Sequence, residues 1–159
     1  MSLDDWILSL HVLSAFALVA AMLLFWVLIF AVRRTDDPGF TAGMAPMARI
    51  GNASVIAGTL GTLVFGIWLA LSVGPYDLWD GWIIAAIVLW AIGAETGRRS
   101  GAEYLRGMEK AQELLAADQT EPSAELAALN RTRNGVLMHA LSSAAVVLIL
   151  IDMIWKPGT

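Results

Sequence analysis

From Trp6 to Val32 the chain carries no Asp, Glu, Lys or Arg. An uncharged apolar run of that length has one ready use. A helix rises about 1.5 Å per residue, so about 20 such residues cross the hydrocarbon core of a bilayer, where the backbone must satisfy its own hydrogen bonds. The run is too long for the apolar part of a cleavable signal. What precedes it, Ser2-Leu3-Asp4-Asp5, is acidic where such a signal is basic. It is read as a transmembrane helix that is retained.

Three further runs qualify, so the predicted spans are about 6–32, 50–73, 79–96 and 135–155. Each ends on a recognisable break: Arg33-Arg34-Thr35-Asp36-Asp37-Pro38-Gly39, then Gly74-Pro75, then Arg98-Arg99, then Lys156-Pro157-Gly158. No proline interrupts any of them. Composition agrees: 58% of residues are hydrophobic and 15% are charged, against about 45–50% and about 25% in soluble domains. The expected fold is all-α, a four-helix transmembrane bundle forming a single domain over residues 1–159.

Orientation follows from Lys and Arg in the short loops. Arg33, Arg34 and Arg49 flank the first connection, and Arg98, Arg99, Arg106, Lys110, Arg131 and Arg133 the third. Only Lys156 lies on the other side, so nine of the ten cations share one face, which is predicted to be cytoplasmic. Both termini are then outside (N-out/C-out), in a multi-pass protein of a bacterial inner membrane. Trp6, Trp68, Tyr76, Trp79, Trp82 and Trp155 fall near the outer boundary, as an aromatic belt would.

The connection between the third and fourth spans has helical periodicity. Leu105, Met108, Gln112 and Leu115 recur on one face of Ala102–Ala117. Asp118–Ser123 holds a proline and turn formers, and Ala124–Asn130 favours helix again. The third helix is expected to run on past the membrane as a cytoplasmic extension, turn near residue 120 and return into the fourth.

Small residues step by four along two spans: Ser54, Gly58, Thr62 and Gly66 on the second, Gly93 and Gly97 on the third, continued by Gly101. Such a stripe lets another backbone approach closely, either within the bundle or in a homo-oligomer. Two ion pairs are expected near span ends, Glu95 with Arg99 and Asp152 with Lys156, each at four-residue spacing. Glu95 could also meet Arg133 or Arg49.

His11 and His139 are the only histidines, and both lie inside spans. An imidazole there can ligate haem iron, relay protons or hydrogen-bond a facing backbone. Ser14 and Ala15 share the face of His11; Ser142 and Ser143 share that of His139. The two rings belong to opposite leaflets. His11 lies roughly 8 Å below the outer boundary and His139 roughly 9 Å above the inner one, so across a core of about 30 Å they stay more than about 10 Å apart. They do not suit a single bis-histidine haem.

Other chemistries find no residues. There are no cysteines, hence no disulfide, thiolate metal site or cysteine nucleophile. P-loop, His-Glu-x-x-His and nucleophile-elbow motifs are absent. The seven methionines form no clustered copper path, and no basic stripe points to nucleic acid. No catalytic or metal-ligating residue is assigned.

The stretch Leu8-Ser9-Leu10-His11-Val12-Leu13-Ser14-Ala15 and the ending Asp152-Met153-Ile154-Trp155-Lys156-Pro157-Gly158, with four spans and a long third loop, resemble an uncharacterised family of small bacterial membrane proteins. That family is in turn distantly similar to the copper-resistance D proteins and the J-type protoporphyrinogen oxidases, which open with Leu-His early in a first span. The resemblance implies haem b ligation by His11, the one residue it carries over; His139 is a weaker cofactor candidate from its place inside a span alone. The Trp-x-Gly-Gly stretch usual after that histidine is replaced here by Phe16-Ala17-Leu18-Val19-Ala20-Ala21. Three functions follow for test: a non-enzymatic accessory, assembly or scaffold protein, its partners lipid, a second copy or another membrane protein; a b-type haem or redox protein using His11; and a small transporter or channel subunit. The last lacks a broken helix or midplane charge.

Overall fold

A computed structural model describes residues 2–72 and 77–156. These form six helices and, among the described residues, no strand: α1 (Leu3–Val32), α2 (Pro38–Gly43), α3 (Ala45–Ser72), α4 (Gly81–Ala116), α5 (Ala124–Asn130) and α6 (Arg133–Trp155). Four are long, and among the described residues these contain the four predicted spans apart from residues 79 and 80; residue 73 lies outside the described residues. Of the long segments, Leu3–Val32, Pro38–Ser72 and Ala124–Trp155 are long and apolar enough to cross a membrane. The apolar part of α4 runs from Trp82 to Ala94 and then meets Glu95, Arg98 and Arg99.

Local chemistry sets the ends. Ser2 and Asp5 form a reciprocal capping box at the start of α1, with Ser2 N–H donating to Asp5 Oδ2 at 2.7 Å and Asp5 N–H to Ser2 Oγ at 3.2 Å. The segment after Arg34, expected to be a plain loop, instead winds into α2. The Asp37 carboxylate accepts from Gly39 and Phe40 N–H, and Pro38 occupies the first turn, where its missing N–H costs nothing. Asp118 terminates α4 with φ 55°, and Lys156 terminates α6 with φ 40°. The chain then continues into Pro157.

The long helices associate as two pairs, α1 against α3 and α4 against α6, and the pairs touch each other more sparingly. Hydrogen bonds bridge them at two seams. Between α1 and α6, Trp26 Nε1 donates to Ser143 Oγ at 3.0 Å and His139 Nε2 lies 3.3 Å from the Met22 carbonyl. Between α3 and α4, Trp90 Nε1 donates to the Thr59 carbonyl at 3.1 Å.

Helix α4 extends without a break into a small headpiece with α2 and α5. Its core is Ala111, Leu114 and Leu126, with Ala42 packed alongside. Buried Asn130 donates from Nδ2 to Thr41 Oγ1 at 3.0 Å and to the Thr35 carbonyl at 3.4 Å. The inward face of α4 here is Ser100, Gly107, Ala111 and Leu114. The expected face is rotated from this: Leu105 and Gln112 are exposed, while Met108 and Leu115 are half-buried. The reason is steric. A Cβ at Gly107 would come within 2.8 Å of Asn130 Oδ1, so only glycine fits at that level, and the one large apolar residue turned inward is Leu114. Lys110 is 18% exposed and pairs with Glu125 at 3.1 Å and Glu113 at 3.3 Å. Both carboxylates, Glu125 foremost, hold its ammonium above the ordinary lysine pKa.

Candidate functional site

The α1–α3 seam is built on glycine. Gly58 is buried, and a Cβ there would lie 2.7 Å from Leu18 N and 2.8 Å from Ser14 O, both backbone atoms of α1. At Gly66 a Cβ would come within 3.0 Å of His11 Cε1. Ser54 and Thr62, on the same stripe, are half-buried, and Thr62 Oγ1 donates to the Gly58 carbonyl at 2.8 Å. Sequence reasoning missed Gly61, whose Cβ would meet Ser14 Cβ at 2.8 Å, and Gly51, which sits against Phe25 and Leu24. The signal that would have found Gly61 is its three-residue step from Gly58, which shares a helix face as a four-residue step does.

On the α4–α6 seam, a Cβ at Gly93 would meet Ala145 Cβ at 3.3 Å, and one at Gly97 would meet Ser142 Oγ at 3.0 Å. Gly101 faces open space. Ser142 Oγ donates to the Gly93 carbonyl at 2.8 Å, and buried Ser100 Oγ donates to the Gly135 carbonyl at 2.9 Å. Backbone carbonyls of one helix thus receive hydroxyl protons from the other.

The two histidines occupy different seams. His139, 7% exposed, lies edge-on to Trp26 with ring centroids 4.8 Å apart and to Phe25 at 6.3 Å. Its Nε2 lies against the Met22 carbonyl, which accepts a hydrogen bond from the Nε2–H tautomer of the imidazole. His11 is half-buried between α1 and α3, with its Cε1–Nδ1 edge on Gly66. Its Nδ1 is buried, and the ring is within reach of the Thr62 backbone. Because His139 reads Met22, and His11 lies about three turns of α1 away, the rings are separated by roughly 16 Å along the helix at about 1.5 Å per residue. No group of three or more His, Cys, Asp or Glu side chains among the described residues could hold a metal ion.

The charged pairs differ in kind. Glu95 receives Arg98 at 2.8 Å and Arg99 at 2.7 Å. Glu95 is the main cause that raises the Arg98 pKa. Asp152 has a buried Oδ2 without a hydrogen bond, and the Lys156 ammonium lies 5.4 Å from the centroid of the Trp82 ring. Trp82 is buried at 7% exposure, whereas Trp6, Trp68, Trp79 and Trp155 are exposed. Tyr76, Gly74-Pro75 and the last three residues lie outside the described residues.

Long apolar helices whose inward polar groups are used on facing backbones define an integral membrane protein. The chain belongs to the family described as Predicted integral membrane protein (DUF2269), which matches residues 5–157. No curated protein and no solved structure matches it.

Proposed function

We propose that the chain is a non-enzymatic accessory, assembly or scaffold protein of the bacterial inner membrane, a four-span bundle with both termini outside and the headpiece in the cytoplasm. One observation carries this reading: the polar side chains best suited to chemistry are engaged between helices. His139, Trp26, Ser143, Ser142, Ser100 and Trp90 each bond a facing helix. The charge bias supports the orientation, since Arg33 and Arg34 close α1 while Arg131 and Arg133 open α6. The test is photo-crosslinking in cells from the exposed face of α3, at Leu60, Val64 and Leu71, with solute-flux assays on purified protein in liposomes. The reading expects a discrete protein adduct from one α3 position and no flux. Lipid adducts alone at every position, or solute turnover, would overturn it.

A second reading, a b-type haem protein, rests on His11, which lies half-buried in the α1–α3 seam with Nε2 as the ring nitrogen not turned onto Gly66. The fit is partial. The Gly66 side of the ring is closed by α3, leaving Nε2 as the ligating atom. His139 fits poorly, because its Nε2 is already on the Met22 carbonyl. This reading requires a Soret band from protein purified out of a haem-sufficient host, lost in His11→Ala and kept in His139→Ala. Absence of the band in the parent protein removes it.

A further inference from the structure

Apart from Arg49 and Lys156, the cations of this chain fall into two sets. Those on α4 are paired: Arg98 and Arg99 with Glu95, Arg106 with Glu103 at 3.8 Å, and Lys110 with Glu113 and Glu125. Arg33 and Arg34 at the end of α1, and Arg131 and Arg133 at the start of α6, have no carboxylate within ion-pair distance among the described residues.

These four are drawn to one rim. Arg33 Nη1 donates to the Thr132 carbonyl at 2.8 Å, and Arg131 Nε donates to the Arg33 carbonyl at 3.4 Å. Arg34 and Arg133 flank the tie and are exposed. The neighbouring acids are occupied or unpaired. Glu103 accepts from Thr132 Oγ1 at 3.4 Å and Asn134 Nδ2 at 3.2 Å, besides Arg106. Asp37 caps α2, and Asp36 forms no ion pair with any of the four.

Directly along α1 from this rim stands an apolar wall. Phe30, 54% exposed, stacks on Trp26 with centroids 5.5 Å apart and planes at 24°. Trp26 in turn is fixed to α6 through Ser143. The seam therefore has guanidinium groups at its membrane edge and aromatic rings one and two turns deeper.

We propose that the α1–α6 seam binds an anionic phospholipid, its phosphate held by Arg34, Arg131 and Arg133 and an acyl chain lying over Phe30. Arginine forks suit phosphate oxygens, and basic pockets between spanning helices at the membrane edge are where such headgroups dock. Free phosphate shares the headgroup chemistry but has nothing to lay against Phe30.

The test is native mass spectrometry of the intact chain in detergent, titrated with phosphatidylglycerol, phosphatidylcholine or inorganic phosphate. Phosphatidylglycerol should be retained, phosphatidylcholine should not, and inorganic phosphate should not displace the lipid. R34Q/R133Q should weaken retention by about tenfold, because two exposed guanidinium groups leave the site. R98Q/R99Q, which removes the same charge from a paired site, should leave it within about twofold. R133Q alone provides a smaller loss in the same direction should the double variant fail to fold. Equal retention of both lipids, equal loss in R98Q/R99Q, or displacement by phosphate would overturn the proposal.

Discussion

Gly58 and Gly101 look alike in sequence, each a small residue on a four-residue step, yet they face different surroundings. Gly58 is pressed against backbone atoms of α1, which cannot rotate away, whereas nothing lies within 4 Å of a Cβ at Gly101. Gly58→Leu is expected to lower the stability of the detergent-solubilised protein by about 1–3 kcal/mol through overpacking. Gly101→Ala is expected to leave it unchanged or raise it by up to about 1 kcal/mol through helix propensity. Melting curves of the two variants decide it, and equal curves would mean that α1 and α3 part without cost. Four-residue spacing was legible in the sequence; which helix each stripe meets was not, because periodicity defines a face without naming its neighbour. For the same reason the sequence put both histidines in the membrane, but could not show that His139 reads the Met22 carbonyl while His11 leans on Gly66.

Among the elements, α4 departs most from what its sequence suggested. Its length and continuity past the membrane were readable from helical periodicity, but its buried face was not. Large apolar residues ordinarily mark the inward face; here α5 comes so close that Gly107 and Ala111 share it with Leu114, and Leu105 is turned out at 54% exposure. The headpiece also has a predictable pH response. The Lys110 ammonium is favoured in the folded state by Glu125 and Glu113, so its contribution is complete below the ordinary lysine pKa of 10.5 and fades as pH rises through the higher folded value. Tyr104 acts in the same direction, since burial keeps its phenol neutral and raises it above 10.0. Hydrogen-exchange protection of α5 should therefore fall at alkaline pH, and less steeply in Lys110→Met than in the parent chain. A pH-independent α5 would show that the Lys110 pairs contribute nothing.

For the whole molecule, the all-helical class and the approximate helix ends followed from apolar runs and their charged borders, as hydropathy allows when the backbone must bond to itself. The short α2 was hidden because Asp37-Pro38-Gly39 reads equally well as a turn or as a helix start. Reporter tags at residues 1 and 159 should both register outside and one near residue 120 inside. If the tags at 1 and 159 fall on opposite sides, α4 does not cross and the number of spans is odd. The helices of each close pair, α1 with α3 and α4 with α6, are separated along the chain only by the short α2 or α5 and their turns.

That arrangement makes the protein divisible. A gene interrupted between the codons for Ser72 and Gly81 would still encode both helix pairs whole. Co-expressed, the two products should find each other through the headpiece, where α2 packs on α4 and Asn130 bonds Thr41, and through Trp26, His139 and Trp90, and purify together from a tag on either one. The same boundary is where a swap of halves between relatives would disturb the fewest contacts.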